Sequence, residues 1–208
     1  MTYPHQITST QLSLPTQPFA ACIFDCDGTL VDSMPLHLLA WRAAFEQNGF
    51  PPERFTLEMH HRFAGMPGVS IVADLNARFQ THLDPQKVEA DKVAWYLAHH
   101  GEVGEIKHVC DFARAQFGKV PLAVASGSDR ELVRLSLESL GLSSLFAAVV
   151  TPDMVAPGKG KPAPDMFLLA AQMLGIAAEK CLVFEDGHLG MQAAAAAGME
   201  AVWVPAES

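Results

Sequence analysis

The sequence predicts an α/β fold, in which a doubly wound parallel sheet carries an inserted α-helical subdomain. Short apolar runs of strand length end in polar or glycine-containing loops: ACIFDCDG, PLAVASGS, FAAVVT, CLVFEDG and AVWV. Continuous apolar runs of this kind are typical of strands that are buried on both faces. Helical patterns lie between most of them, at residues 130–140, 164–174 and 190–197. Strands that alternate with helices favour a parallel sheet with helices on both sides.

The alternation is interrupted once, after the first strand and its loop. About 85 residues pass before the run PLAVAS begins. Helical patterns fill most of that stretch, at residues 35–47, 69–79, 85–98 and 105–117. A single crossover between parallel strands needs only a dozen or so residues. We therefore predict a helical cap at residues 34–104, inserted into an α/β core formed by residues 19–33 and 105–208.

The composition excludes several classes of function. The chain has 208 residues, with 14 Lys and Arg against 23 Asp and Glu, and a formal net charge of −9. This acidic balance argues against nucleic acid as a partner, because nucleic-acid binders present clustered basic residues. No apolar run is long enough to span a bilayer, so no membrane partner is expected. The polar leader at residues 1–18 contains no Lys or Arg and is not typical of a secretory signal.

The cysteines predict a reducing compartment. Cys22, Cys26, Cys110 and Cys181 show no C-x-x-C spacing and no regular framework. Free cysteine in apolar segments behaves as a small buried hydrophobe. We expect inert thiols and a cytoplasmic protein.

Polar residues follow the first predicted strand, at Asp25-Cys26-Asp27-Gly28. Residues two apart at a strand end project to similar sides, and Gly28 allows a sharp turn after them. Two carboxylates in this arrangement can divide the work of catalysis, one as nucleophile and one handling protons. In open α/β sheets, ligands bind at this carboxyl end of the strands.

The other predicted strands end in complementary chemistry. Ser126-Gly127-Ser128 offers hydroxyls and backbone amides that suit an anion. Lys161 is a lone cation just before a predicted helix, and Glu185-Asp186 is a second acidic pair. Converging carboxylates repel one another unless a cation with a preference for oxygen ligands lies between them. Mg²⁺ fits this donor set best.

Each element has an ordinary explanation when it is taken alone. A D-x-D sequence often forms a turn, Ser-Gly-Ser before a helix often caps it, and Glu-Asp-Gly is a common turn sequence. Their joint occurrence at the ends of successive apolar strands favours one site.

With these motifs the chain resembles the haloacid dehalogenase-like hydrolases, and among them the phosphatases and mutases with a helical cap after the first motif. The motifs are DCDGTLVDS, Ser126, the Lys161 segment KPAPD, and FED followed by Gly190. The resemblance implies that Asp25 is the nucleophile and forms an aspartyl-phosphate. It implies that Asp27 protonates the leaving oxygen and then activates water.

The same resemblance assigns the remaining core residues. Ser126 and Lys161 would hold the phosphoryl oxygens, with Gly127 and Ser128 contributing to substrate binding. Mg²⁺ would lie on Asp25, the carbonyl of Asp27 and Asp186, with Glu185 nearby or acting through water. The dehalogenases of the family lack the second aspartate and the metal acids, so this pattern argues against dehalogenation.

The cap is expected to choose the substrate. His37 and Trp41 lie four residues apart on one helical face, and His37 has the spacing from Asp25 that is found in β-phosphoglucomutase-like members. There the matching His orients the acid/base aspartate, although a packed surface His is an alternative. The loop at residues 62–68 resembles a specificity loop, in which Arg62 could reach the substrate or lie in solvent. Ala64 and Gly68 stand where a mutase would place cationic side chains.

These features lead to three competing functions. The first is a Mg²⁺-dependent phosphatase of small phosphorylated metabolites, above all sugar phosphates such as fructose 1-phosphate or 6-phosphogluconate. The second is a sugar-phosphate mutase like β-phosphoglucomutase. The third is a non-catalytic binding module, which would be expected to lack the nucleophile or a metal acid. We expect a monomer or a weak homodimer.

Overall fold

Five parallel strands form the central sheet of the computed structural model, which describes residues 7–8, 11–12, 14–15, 17–64 and 66–204. In chain order the strands are β1 (Ile7–Thr8), β2 (Gln11–Leu12), β3 (Ala21–Phe24), β4 (Val31–Asp32), β5 (Gly104–Glu105), β6 (Leu122–Ala125), β7 (Ala148–Val150), β8 (Cys181–Glu185) and β9 (Glu200–Trp203). The central sheet has the order β7-β6-β3-β8-β9, and every pairing in it is parallel. All five apolar runs singled out in the sequence are therefore strands of one sheet.

Helices cover both faces of this sheet. In chain order the helices are α1 (Met34–Gln47), α2 (Leu57–Arg62), α3 (Gly68–Phe79), α4 (Pro85–His99), α5 (Lys107–Gln116), α6 (Arg130–Ser139), α7 (Asp165–Leu174) and α8 (His188–Ala196). Helices α5 and α6 pack on one face through residues such as Val109 and Leu137, and α7 and α8 pack on the other through Phe167 and Ala194. The predicted doubly wound α/β fold is confirmed.

The order of the strands creates a switch point at the centre of the sheet. From β3 the chain proceeds to β6 and β7 on one side, and later to β8 and β9 on the other. Adjacent crossovers that diverge in this way leave a crevice at the carboxyl ends of β3 and β8. Asp25 directly follows β3, and Glu185 is the last residue of β8. The switch point thus brings two of the predicted motifs together.

The helices at residues 34–99 share an apolar cluster of their own. Trp41 and Phe45 of α1 pack there against Leu75 of α3 and Val88 of α4, apart from the two clusters on the sheet. The short antiparallel pair β4 and β5 joins the two points at which the chain leaves the sheet and returns to it. These features support our division into a core and a cap at residues 34–104, which stays a proposal.

Two details of the helices differ from the sequence prediction. Helix α2 was not predicted, because six residues are too few for a clear helical period; the Thr56 hydroxyl caps it by accepting the Met59 N–H at 3.2 Å. The predicted helix at 190–197 begins two residues earlier, at His188. The other predicted helices agree with the structure to within about two residues at each end.

The remaining sequence predictions concern the cysteines, the membrane and the leader. All four cysteines are buried and free. Across the residues described by the structure, no helix is both long and apolar enough to cross a bilayer. Much of the predicted leader at residues 1–18 lies outside the described residues, although β1 and β2 within it pair in antiparallel fashion.

Candidate active site

Asp25 and Glu185 share one ammonium group at the switch point. The Lys161 Nζ donates to Asp25 Oδ1 at 2.5 Å and to Glu185 Oε1 at 2.9 Å, and all three residues are buried. Burial raises the pKa of Asp25 to about 8 although Lys161 opposes this, and Glu185 raises it further. The pKa of Lys161 is raised, because these two carboxylates outweigh the burial that favours its neutral form. The ammonium is therefore a permanent positive charge beside the predicted nucleophile.

Asp186 joins Asp25 and Glu185 in a compact acidic group. Carboxylate oxygens of the three residues lie within 4.8 Å of one another. Burial raises the pKa of Asp186 well above its ordinary value, and Glu185 and Asp25 raise it further. One ammonium cannot neutralise these three carboxylates, of which two are buried and Asp186 is half-buried. The donor set is hard oxygen throughout, which fits Mg²⁺.

Two glycines make this acidic group possible. Gly28 has φ +81°, and a Cβ there would lie 2.1 Å from Asp186 Oδ2. A Cβ on Gly190 in α8 would lie 1.4 Å from Glu185 Oε1. The glycines of the first and last motifs thus leave the space in which the two acids lie.

Asp27 points to different partners. Its Oδ1 accepts from the Ser33 hydroxyl at 2.6 Å and lies 3.1 Å from His37 Nε2, while its Oδ2 accepts from the Ser128 hydroxyl at 2.5 Å. Burial opposes ionisation of Asp27, but His37 and these hydrogen bonds hold its pKa well below the usual range. The side chain of Asp27 is not part of the acidic group that Asp25, Glu185 and Asp186 form.

The serine loop lies on the other side of β3. Ser126 follows β6 and is buried, and its Oγ accepts the backbone N–H of Ser128 at 3.1 Å. Ser126, Gly127 and Ser128 all line the same cavity as Asp25 and Asp27. The structure therefore brings the loop and both aspartates of the first motif together.

The cavity extends from these core residues into the cap and has a volume of about 870 Å³. This volume lies within the range that is usual for small-molecule sites. His37 is buried, stacks on Tyr96 with ring centroids 4.3 Å apart, and contacts Asp27 directly. Burial lowers the pKa of His37, and Lys92 lowers it further, so the imidazole is neutral at pH 7. A neutral imidazole can donate from Nε2 to the carboxylate of Asp27.

The expectation for Arg62 needs a correction. Its side chain is exposed at the end of α2 and does not line the cavity. The adjacent Phe63 and Ala64 line it instead, together with Gly68. Helical geometry explains the difference, because consecutive residues of a helix project about 100° apart and only one side of α2 faces inward. Gly65 of the predicted specificity loop lies outside the described residues.

Several cavity residues were missed in the sequence. Lys92 is buried, and its Nζ lies 5.6 Å from the Trp41 ring centroid and 5.5 Å from that of Tyr96. Burial lowers the pKa of Lys92 to about 8, although Asp27 opposes the shift. Glu89 lies one turn earlier on α4, and His60 lies on α2. The three-residue spacing of Glu89 and Lys92 signals a shared face, but a sequence does not show that this face is turned towards a cavity.

Comparison with known proteins agrees with this site. The family model for haloacid dehalogenase-like hydrolases matches residues 19–198. The chain is 36% identical over 184 residues to the fructose-1-phosphate phosphatase YqaB of Escherichia coli, covering 88% of this chain and 95% of that protein. It is 31% identical over 187 residues to a phosphorylated carbohydrates phosphatase of Thermotoga maritima, covering 88% and 83% of the two chains. The crystal structure of a hydrolase from Pseudomonas syringae superimposes with a TM-score of 0.77 at 25% identity, covering 88% of this chain and 84% of that one. The chain belongs to the haloacid dehalogenase-like hydrolase family.

Proposed function

We propose that the protein is a Mg²⁺-dependent phosphatase that hydrolyses the phosphate monoesters of small sugars through an aspartyl-phosphate on Asp25. The observation that carries the proposal is the convergence of Asp25, Glu185 and Asp186 at the switch point, where they line a cavity that continues into the cap and Lys161 lies buried behind Asp25. The names of the two phosphatase relatives support sugar phosphates as the substrate class.

Mg²⁺ would be held by Asp25, Asp186 and the carbonyl of Asp27, with Glu185 close by. When bound, it would neutralise charge on the phosphoryl group and on the acids around it. A phosphate dianion repels a carboxylate nucleophile, so positive charge is needed before attack can occur. Lys161 supplies part of that charge from the protein itself, beside Asp25 Oδ1.

The chain's own residues then have separate tasks. Asp25 attacks phosphorus and forms the acyl phosphate, while the bond to the leaving alkoxide breaks. Asp27 gives a proton to that alkoxide and afterwards takes a proton from the water that cleaves the acyl phosphate, which contributes about 10²–10⁴ to the rate. Ser126 and the amides of its loop would hold phosphoryl oxygens, and His37 orients Asp27. Arg62 has no part in this proposal.

The direct test is a screen of phosphate release in the presence of Mg²⁺. We expect release from sugar 1-phosphates and sugar 6-phosphates, abolished by EDTA and restored by Mg²⁺. The screen includes nucleotides and phosphoglycolate as comparison substrates. Full activity of the EDTA-treated protein would contradict the metal assignment, and activity on nucleotides alone would contradict the substrate class.

The same screen separates the phosphatase from a mutase. A mutase converts a sugar 1-phosphate into its 6-phosphate and requires a bisphosphate activator, whereas a phosphatase releases inorganic phosphate without one. We expect steady phosphate release from a monophosphate alone. We further propose that the protein works in the cytoplasm, which four buried free thiols favour, and as a monomer or weak homodimer without a nucleic-acid partner.

A further inference from the structure

The cap wall of the cavity carries a half-buried carboxylate beside the start of a helix. Glu89 lies on α4 and lines the cavity together with Lys92, one turn further on. Its carboxylate lies against the start of α3, where the backbone N–H groups of Gly68 and Val69, the first two residues of that helix, lower its pKa against the larger effect of burial, which raises it. Pro67, which precedes them, provides no side-chain cap for this helix. Glu89 therefore lies beside N–H groups that the helix itself leaves unpaired.

The fit between Glu89 and the start of α3 is close. A Cβ on Gly68 would lie 2.4 Å from Glu89 Oε1 and 2.8 Å from its Cδ. Any other residue at position 68 would push the carboxylate away. Gly68 thus has a clear physical reason to be a glycine, which is to admit this carboxylate onto the backbone.

Without Glu89, the start of α3 would suit an anion. A helix N-terminus combines free N–H donors with the positive end of the helix dipole, and both favour a phosphate group. Here a negative charge of the protein already occupies it. A second phosphate on a substrate that reached the start of α3 would therefore contact the carboxylate of Glu89 and not free N–H donors.

The basic side chains that line the cavity do not offset the negative charge of Glu89. Among the described residues that line it, the only Lys or Arg side chains are Lys92 and Arg130. Arg130 is engaged by Asp153 at 2.7 and 3.0 Å. The Lys92 Nζ lies over the Trp41 and Tyr96 rings, and the charges of Asp27, Glu89 and Asp129 favour its ionised form. One lysine charge set against these three carboxylates does not balance a second phosphate dianion.

We infer that Glu89 makes the site selective for monophosphates whose leaving group is neutral and rich in hydroxyls, and that it excludes bisphosphates by charge. This deepens the proposed function and rests on it. A carboxylate accepts hydrogen bonds from hydroxyl groups, so Glu89 can bind the hydroxyls of a neutral sugar. The same carboxylate repels a second phosphate group. Repulsion of this kind is a common route to specificity, because a difference in affinity arises from penalising the wrong ligand.

The test compares fructose 1-phosphate with fructose 1,6-bisphosphate in the wild type and in Glu89→Gln. The amide keeps the size of the side chain and one oxygen for the helix N–H groups, but removes the charge. We expect the ratio of kcat/KM for the monophosphate to that for the bisphosphate to fall by about tenfold, from removal of one unit charge near a dianion. Glu58→Gln is the matched control, because it removes an exposed carboxylate from α2 outside the cavity. It should leave the ratio unchanged.

A purely structural role for Glu89 would give a different result. It would lower kcat/KM equally for both substrates and leave their ratio constant, and that outcome, like an unchanged ratio with full activity, would overturn the inference. Equilibrium binding of both ligands to Asp25→Asn, with and without Glu89→Gln, gives a readout that needs no turnover. If the wild type released no phosphate from any sugar ester, the proposed function would fail, while the change in the binding ratio would still decide the role of Glu89.

Discussion

For Gly190→Ala, helix propensity and the space that Glu185 needs predict opposite effects on stability. Gly190 lies inside α8, where alanine is intrinsically better than glycine by about 1 kcal/mol. Helix propensity alone therefore predicts a more stable protein. The structure predicts the opposite, because the added Cβ would lie 1.4 Å from Glu185 Oε1 and 2.1 Å from its Cδ.

The expected decrease in the free energy of unfolding follows from the hydrogen bonds that Glu185 accepts. Its Oε1 accepts from Lys161 at 2.9 Å, and its Oε2 accepts the N–H groups of Asp186 at 2.8 Å and Gly187 at 3.2 Å. Moving the carboxylate away loses at least the charge-assisted bond to Lys161, which is worth about 1.5–3 kcal/mol. Subtracting the gain in helix propensity leaves a loss of about 0.5–2 kcal/mol. For a chain of this size that corresponds to a fall in Tm of roughly 1–8 °C.

The assay combines thermal unfolding with phosphate release. We expect Gly190→Ala to have a lower Tm and to lose about 10²-fold or more in kcat, because displacement of groups at a reacting centre has a large effect on rate. Gly101→Ala is the control, since a Cβ there meets nothing within 4 Å. It should change the free energy of unfolding by no more than about 0.5 kcal/mol. A Tm for Gly190→Ala equal to or above that of the wild type would refute the reasoning.

Two further predictions concern single ionisable groups. Asp25→Asn should reduce turnover to background, because it removes the proposed nucleophile. Asp27→Asn should still become phosphorylated on Asp25 by p-nitrophenyl phosphate, whose leaving group needs little protonation, and should then stall because the amide cannot activate water. Mass spectrometry of the quenched variants locates the phosphate, and a phosphate on Ser126 would show that the nucleophile is wrongly assigned. Burial lowers the pKa of His60 to about 3. Between pH 6.5 and 3 the unfolded state therefore binds more protons than the folded state, and the free energy of unfolding decreases by up to about 1.4 kcal/mol per pH unit as the pH falls. The Tm of His60→Phe should therefore fall less steeply than that of the wild type over this range, and parallel curves would contradict the burial of His60 in its neutral form.

The sheet and its site residues were predictable because their signals are local. A continuous apolar run such as Cys181–Glu185 indicates a buried strand without knowledge of its neighbours. Polar residues directly after such runs meet at one edge once the strands are parallel. Asp25, Ser126 and Asp186 follow from this reasoning, and the structure brings them to one cavity. The resemblance to a known family then supplied roles that spacing alone does not give.

The cap was less predictable because its function depends on orientation. Arg62 and His60 are two residues apart on one short helix, yet His60 faces the cavity and Arg62 faces solvent. A six-residue helix gives no periodicity from which the inward side could be inferred. Glu89 was missed for a related reason. Its contact with Gly68 joins two helices whose relative placement is decided by packing and not by either segment alone.

The proposed mechanism gives Asp25 and Asp27 two different chemical roles, and their surroundings differ accordingly. Burial and neighbouring acids raise the pKa of Asp25, whereas His37, Ser33 and Ser128 hold that of Asp27 low. The partners of Asp27 come from separate elements: Ser33 from the end of the first motif, His37 from the first cap helix, and Ser128 from the serine loop. A base that takes a proton from water must be ionised, and these donors favour that form. An acid must hold a proton, so the same residue can donate to the leaving alkoxide only when some of these donors turn to other acceptors. Ser128 lines the substrate cavity and can give its hydroxyl to a phosphoryl oxygen, which would remove one stabilising bond from Asp27 as substrate binds. The ligand itself would thereby shift Asp27 towards the acid form that the first step requires.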